Sequence, residues 1–151
     1  MAIDVNNKDL LNEKLAGLHA DTAPNFGRMT AQHMLEHLSA TVLFSNGKLK
    51  AKLYIPEEKA ESMKQYLVYT DNEFPMGIKA PMLNDELPPL RFPDLETVKE
   101  RLILELERFK LFFDENPDAK TMHPTLGELT YDEWKIVHDK HFAHHFKQFG
   151  L

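Results

Sequence analysis

Apolar side chains recur with helical spacing in four parts of the chain, beginning near its start. Leu11, Leu15 and Leu18 are one turn apart and predict a first helix from about Lys8 to His19. Pro24 lies in the segment that follows and interrupts the pattern. One face of this helix should therefore pack on a core.

A second helix is predicted to begin after Thr30, a favourable N-cap residue. It should continue to about Ser45, where Asn46 and Gly47 provide a stop signal. Its apolar face carries Met34, Leu38 and Val42.

The third and fourth helices have the clearest start signals. Asp94 is the predicted N-cap of the third helix, which spans about five turns and ends before Pro117. Thr130 and Glu133 form a capping box for the fourth helix, which runs to about Gln148 and is ended by Gly150. The apolar positions of the third helix are Leu95, Val98, Leu102, Leu106, Phe109 and Phe113.

The stretch from Gly47 to Pro93 has a weaker pattern and holds six of the nine prolines. It contains one short helical candidate, from about Glu57 to Leu67. Such a connection is either an ordered cover over one mouth of the fold or an irregular link. Its apolar residues either line a pocket or serve core or dimer packing, and they are Phe74, Met76, Ile78, Met82 and Leu83.

Four helices and one long connection predict an all-α four-helix bundle with a crossover. A length of 151 residues, 42% hydrophobic and 28% charged, favours a single domain spanning residues 1–151. The N-terminus has no export signal and no long apolar run occurs, so we expect a cytoplasmic protein outside the membrane. A net charge of −6 without a basic stripe argues against nucleic-acid binding.

Histidine is the residue type that points to chemistry, because the chain has no cysteine and any metal must be held by nitrogen or oxygen. Eight histidines occur, and four of them lie within eight residues of the predicted fourth helix. His138, His141 and His145 share an inward stripe with Trp134 and Gln148. His141 and His145 are about 6 Å apart along the axis and can bind one ion, whereas His138 and His145 are about 10.5 Å apart.

The second helix offers a third ligand. His37 lies nearer its apolar face than His33 does, so His37 is the better inward candidate. Three neutral imidazoles leave a fourth position for water, which a zinc-like ion makes more acidic. Zinc, nickel, manganese and iron(II) all accept this set, and zinc or nickel is expected first.

Each histidine also has a structural interpretation. An inward imidazole is commonly a core residue with its own hydrogen-bond partner, so the set could bind nothing. His19 and His144 are expected to be exposed or at the rim. His123 should lie at the opposite end of the fourth helix unless its loop folds back, and with Pro124 it favours a fixed turn.

Two segments resemble motifs of the DinB/YfiT-like superfamily of metal-binding four-helix bundles. The segment from Met29 to Leu38 is similar to its second-helix motif, in which a histidine before an apolar residue is the first ligand. The segment from His141 to Gln148 is similar to its C-terminal HxxxHxxQ motif, whose two outer histidines are the other ligands. The resemblance implies that His37, His141 and His145 bind the metal. The stretch from His123 to Gly150 is also similar to an uncharacterised subgroup.

The resemblance and the histidine set together predict a divalent-metal-dependent enzyme. It would be a hydrolase or a transferase that uses a low-molecular-weight thiol, and the resemblance implies a homodimer. No catalytic side chain is identified, and Glu36 is not nominated as a base. We expect Gln148, His33 and His138 either to hydrogen-bond to the ligands or to bind the metal themselves. A closed, four-ligand site would favour the alternative, a non-catalytic metal-binding or stress-response module.

Overall fold

The computed structural model describes residues 2–74 and 87–151. Its first helices are α1 (Lys8–Ala16), α2 (Ala31–Ser45) and α3 (Glu57–Val68). Helix α4 (Leu95–Glu115) precedes a hairpin of β1 (Thr121–His123) and β2 (Gly127–Leu129), and α5 (Tyr131–Gln148) follows. The described part of the chain is therefore mostly helical, as predicted, with five helices and one small antiparallel sheet.

The N-caps lie where the sequence predicts them. The side chains of Thr30, Asp94 and Thr130 each accept a hydrogen bond from a backbone N–H in the first turn of α2, α4 and α5. At α5 the capping box is complete, since Glu133 also accepts from the Thr130 N–H. These local interactions fix where the long helices begin.

Helix α1 ends earlier than predicted, at Ala16 rather than near His19. Leu18 is nevertheless fully buried, because the chain after the helix keeps this side chain in the core. The apolar periodicity therefore predicted the burial of Leu18 correctly, but it predicted too long a helix.

The core lies between α4 and the elements packed on it. Helix α4 lies along α2 and contacts α1, while α5 contacts α2, α3 and β2. The predicted apolar face of α4 is buried along its whole length. This arrangement leaves one face of α2 against one face of α5, which is where the predicted histidines meet.

The hairpin was not predicted from the sequence. Its strands pair Thr121 with Leu129 and His123 with Gly127. Thr121 accepts a hydrogen bond from Trp134 Nε1 at 2.7 Å and donates one to the Ser45 carbonyl at 3.0 Å. The hairpin is thus tied to both helices that carry the histidines. Within the described residues, every helix is too short or too polar to cross a bilayer.

Candidate metal centre

Helices α2 and α5 bring three imidazoles together. The ring centroids of His37 and His141 are 4.9 Å apart, those of His37 and His145 are 5.0 Å apart, and those of His141 and His145 are 4.8 Å apart. One ring nitrogen from each residue lies within 4.8 Å of the other two. The rings therefore form a nearly equilateral triangle that could hold one cation.

Two of the nitrogens already have a spacing close to that of metal ligands. Nε2 of His37 and Nε2 of His141 are 3.0 Å apart. Two nitrogens bound tetrahedrally at about 2.05 Å from one ion would be about 3.3 Å apart. Two neutral imidazoles in such contact need a proton on one of the two nitrogens, and a cation can replace that proton. Only a small change in the distance between these two nitrogens would be needed for both to bind one ion.

Gln148 fixes which nitrogen of His145 is available. The Gln148 Nε2 donates to the Phe26 carbonyl at 2.8 Å, so its Oε1 faces Nδ1 of His145, also at 2.8 Å. An amide oxygen only accepts, so Nδ1 of His145 carries the proton and its Nε2 keeps the lone pair. In protein metal sites, a hydrogen bond of this kind to the other ring nitrogen orients the histidine that binds the metal.

The loop before α2 is shaped to admit Gln148. Gly27 has a φ of +80°, and a Cβ added there would lie 2.7 Å from Nε2 of Gln148. Asn25 N also donates to the Gln148 carbonyl at 2.7 Å. Glycine is therefore favoured at position 27 by its backbone conformation, and the lack of a side chain there lets Gln148 approach closely.

Burial keeps the three imidazoles neutral. His141 and His145 are 7% and 8% exposed, and His37 is partly exposed. Burial, followed by the nearby His144, lowers the pKa of His37 to about 4. Burial and the neighbouring imidazoles also lower the pKa of His141 and His145 well below their ordinary value. Neutral imidazole is the form that binds a metal.

His138 and His33 do not join this triangle. His138 Nε2 lies 2.9 Å from Ser45 Oγ, which itself donates to the Val42 carbonyl, so His138 donates to Ser45. His33 contacts Thr30 Oγ1 at 2.6 Å and the Pro88 carbonyl at 3.0 Å. Both residues therefore form hydrogen bonds with their own neighbours, which is the arrangement described above for histidines with a purely structural role.

Two ring nitrogens behind the triangle have no partner. Among the described residues, Nδ1 of His138 and Nδ1 of His141 are buried without a hydrogen bond. The missing acceptor for His141 distinguishes it from His145, whose Nδ1 is held by Gln148. His141 is instead oriented by its contacts with neighbouring rings.

Glu36, next to His37, faces away from the triangle. Its carboxylate accepts hydrogen bonds from the backbone N–H of Arg91 at 2.7 Å and of Phe92 at 3.2 Å. Gln32 Nε2 donates to the same carboxylate at 3.1 Å. Glu36 therefore attaches residues 91–92 to α2.

His123 lies closer to the site than the linear estimate placed it, because the hairpin folds back along α5. Its ring centroid is 5.3 Å from that of Trp134, and burial together with His37 lowers its pKa to about 3. Its Nδ1 accepts from the N–H groups of Thr125 and Leu126, which confirms the predicted turn. The fold-back depends on tertiary contacts that the local sequence does not reveal.

Phe74 lies against the site. Its ring centroid is 5.0 Å from that of His141 and 6.2 Å from that of His144. The other residues suggested for an apolar pocket lie outside the described residues, and they are Met76, Ile78, Met82 and Leu83.

The chain matches a protein family described as "Protein of unknown function (DUF1569)" over residues 62–150. The match contains α5 with His141 and His145, whereas His37 precedes it. No curated protein and no solved structure matches the chain.

Proposed function

The chain belongs to the DUF1569 family, and we propose that it is a metal-dependent enzyme acting on a small molecule. The observation that carries this proposal is the convergence of three imidazoles, two of them buried and one partly exposed, on one point. Imidazoles that merely fill a core are each expected to have a separate protein partner. Here His37 and His141 face each other instead.

The residues fit a divalent ion by their donor chemistry. Three neutral nitrogen donors are the set found at catalytic zinc sites, and they leave one position for substrate. An ion bound there would supply a Lewis acid. His37, His141 and His145 would hold it, and Gln148 would keep His145 in the tautomer whose Nε2 is free.

The open position that three ligands would leave on an ion supports the proposed reaction class. Hydrolysis and transfer to a low-molecular-weight thiol both need a small nucleophile to enter beside three fixed ligands. We propose these two reactions and assign no catalytic side chain. Zinc or nickel is the proposed metal, ahead of manganese or iron.

The superfamily and the bundle architecture are also proposals. We propose the all-α four-helix bundle with a long crossover, and the ligand set, that the resemblance to the DinB/YfiT-like superfamily implies. A homodimer is proposed on the same basis, and a cytoplasmic location is proposed because the sequence has neither an export signal nor a long apolar run. The alternative is a non-catalytic metal-binding or stress-response module.

The first experiment measures metal content and ligand number. We expect about one zinc or nickel ion per chain after purification without chelator, and an X-ray absorption spectrum with the multiple scattering of three imidazole ligands and a fourth ligand that is oxygen. His37→Ala, His141→Ala and His145→Ala should each lower metal affinity by more than 100-fold.

Neighbouring histidines provide the controls. His33→Ala and His144→Ala change residues on the same two helices, and we expect metal affinity within threefold of wild type. A protein that takes up neither zinc nor nickel would refute the metal site. A sphere closed by four protein ligands, without turnover of ester or thiol-transfer substrates, would favour the non-catalytic module.

A further inference from the structure

Two phenyl rings contact His144, whose own ring lies 4.9 Å from that of the triangle residue His145. Phe26 precedes α2 and Phe74 follows α3, and His144 on α5 lies between them. The ring centroid of His144 is 5.6 Å from that of Phe26 and 6.2 Å from that of Phe74. We call these three residues the aromatic rim.

The rim lies on the side of the site that solvent can reach. Phe26, Phe74 and His144 are all partly exposed, as is His37. Behind the ligands the packing is closed, since Trp134, His138 and Phe142 are fully buried. The partly exposed rim and the partly exposed His37 thus contrast with this closed interior.

The backbone at Phe26 and the backbone that leads to Phe74 are both hydrogen-bonded to side chains of α5. On one side, Gln148 binds the Phe26 carbonyl. On the other, Lys140 Nζ donates to the carbonyls of Leu67, Thr70 and Asn72, with distances of 2.8 and 2.7 Å to the last two. Lys140 thus holds the turn that leads from α3 to Phe74.

The same helix therefore supplies two ligands and the attachments of both rings. Two segments far apart in sequence each place a phenyl ring beside His144, at distances typical of aromatic contacts. Partly exposed aromatic rings beside a few polar groups are characteristic of small-molecule sites. This arrangement goes beyond what three metal ligands require.

We propose that the aromatic rim binds the substrate, and that the substrate carries a flat apolar group, such as an aromatic ring, next to the group that reaches the metal. This inference rests on the proposed metal site. Phe26 and Phe74 would pack on the two sides of the apolar group, and His144 would form the wall between them. Phe26 and Phe74 are then residues that determine specificity.

The test compares two probes on cobalt-loaded protein. Acetohydroxamate and benzohydroxamate bind a metal through the same two oxygens, but they carry a methyl and a phenyl group. Visible absorption of the cobalt gives both dissociation constants. We expect wild type to prefer benzohydroxamate by at least tenfold, and Phe26→Ala and Phe74→Ala each to lower this preference at least threefold.

Acetohydroxamate serves as the internal control. Its affinity should stay within threefold of wild type in both variants, which shows that each is folded and holds the metal. Phe112→Ala, on α4 beside Gly47, is a matched control and should keep the full preference. If an alanine variant does not fold, Phe26→Met or Phe74→Met replaces it, and the preference should again fall.

The two proposals fail in different ways. If cobalt, zinc and nickel are all not taken up, the metal site is refuted and the rim proposal falls with it. If both probes bind wild type and the rim variants equally well, the metal site stands and the rim does not select an apolar group.

Discussion

Gln148 connects the histidine triangle to the loop before α2 at the scale of single side chains. Its oxygen faces the protonated Nδ1 of His145, and its nitrogen donates to Phe26. The residue is 5% exposed, so neither contact is easily replaced by water. Its loss would free the His145 ring to rotate or to change tautomer.

We expect Gln148→Leu to lower zinc affinity about 10- to 100-fold, which is the typical cost of losing a second-shell partner. The measurement is competition with a chromophoric chelator at pH 7.5. Gln65→Leu is the control, because the Gln65 side chain donates to the exposed Glu61 on α3 at 2.9 Å, and it should leave the affinity unchanged. Equal affinities in the two variants would show that Gln148 does not orient the ligand.

Glu36 has a different role, although it adjoins His37 in sequence. Its carboxylate binds two backbone N–H groups and so attaches the segment before α4 to α2. Arg91 strengthens the attachment by donating to the Glu36 carbonyl at 2.8 Å. Glu36 therefore acts between elements of the fold, because it joins the segment before α4 to helix α2.

Glu36→Ala should therefore reduce the free energy of unfolding by about 1–3 kcal/mol, as expected when charged hydrogen bonds to backbone are lost. Zinc affinity of the folded variant should remain within threefold of wild type. Urea unfolding and chelator competition measure the two quantities, with Glu61→Ala on the exposed face of α3 as the control. A large loss of zinc affinity at wild-type stability would mean that Glu36 acts on the site.

The helices were predictable because their signals are local. Thr30, Asp94 and Thr130 cap their own helices, and apolar periodicity identifies the buried faces. The hairpin was missed because its strands have three residues each and depend on distant partners, such as Thr121 with Trp134. Strands this short give no usable alternation of apolar and polar residues.

The candidate site was predictable to the extent that it lies on helices. The spacing of His141 and His145, and the face of α2 that carries His37, could be read from periodicity. The positions of Phe26 and His123 depend on loops that fold back onto α5, and no local pattern encodes such contacts. Of the aromatic rim, the sequence suggested Phe74 as a pocket residue and His144 as an exposed or rim residue, but it did not indicate Phe26 or the contacts between the three side chains.

The molecule as a whole keeps several histidines neutral in its interior. Burial, with smaller contributions from His123 and Lys135, lowers the pKa of the fully buried His138 from 6.5 to about 3. The three triangle residues are shifted in the same direction. In the unfolded chain these imidazoles return to about 6.5. The unfolded state therefore binds more protons than the folded state below that pH.

This difference predicts that metal-free protein loses stability as the pH falls from about 6.5 to 4, while above about 7 these groups contribute no further change. Each buried histidine adds a slope of up to about 1.4 kcal/mol per pH unit. Urea unfolding with chelator at pH 7.5, 6.5 and 5.5 measures the slope. His138→Met removes one titrating group and should make the slope shallower by up to that amount, whereas His19→Gln, at an exposed position, should leave it unchanged. A slope that is the same in His138→Met and wild type would mean that His138 is not held neutral by the fold.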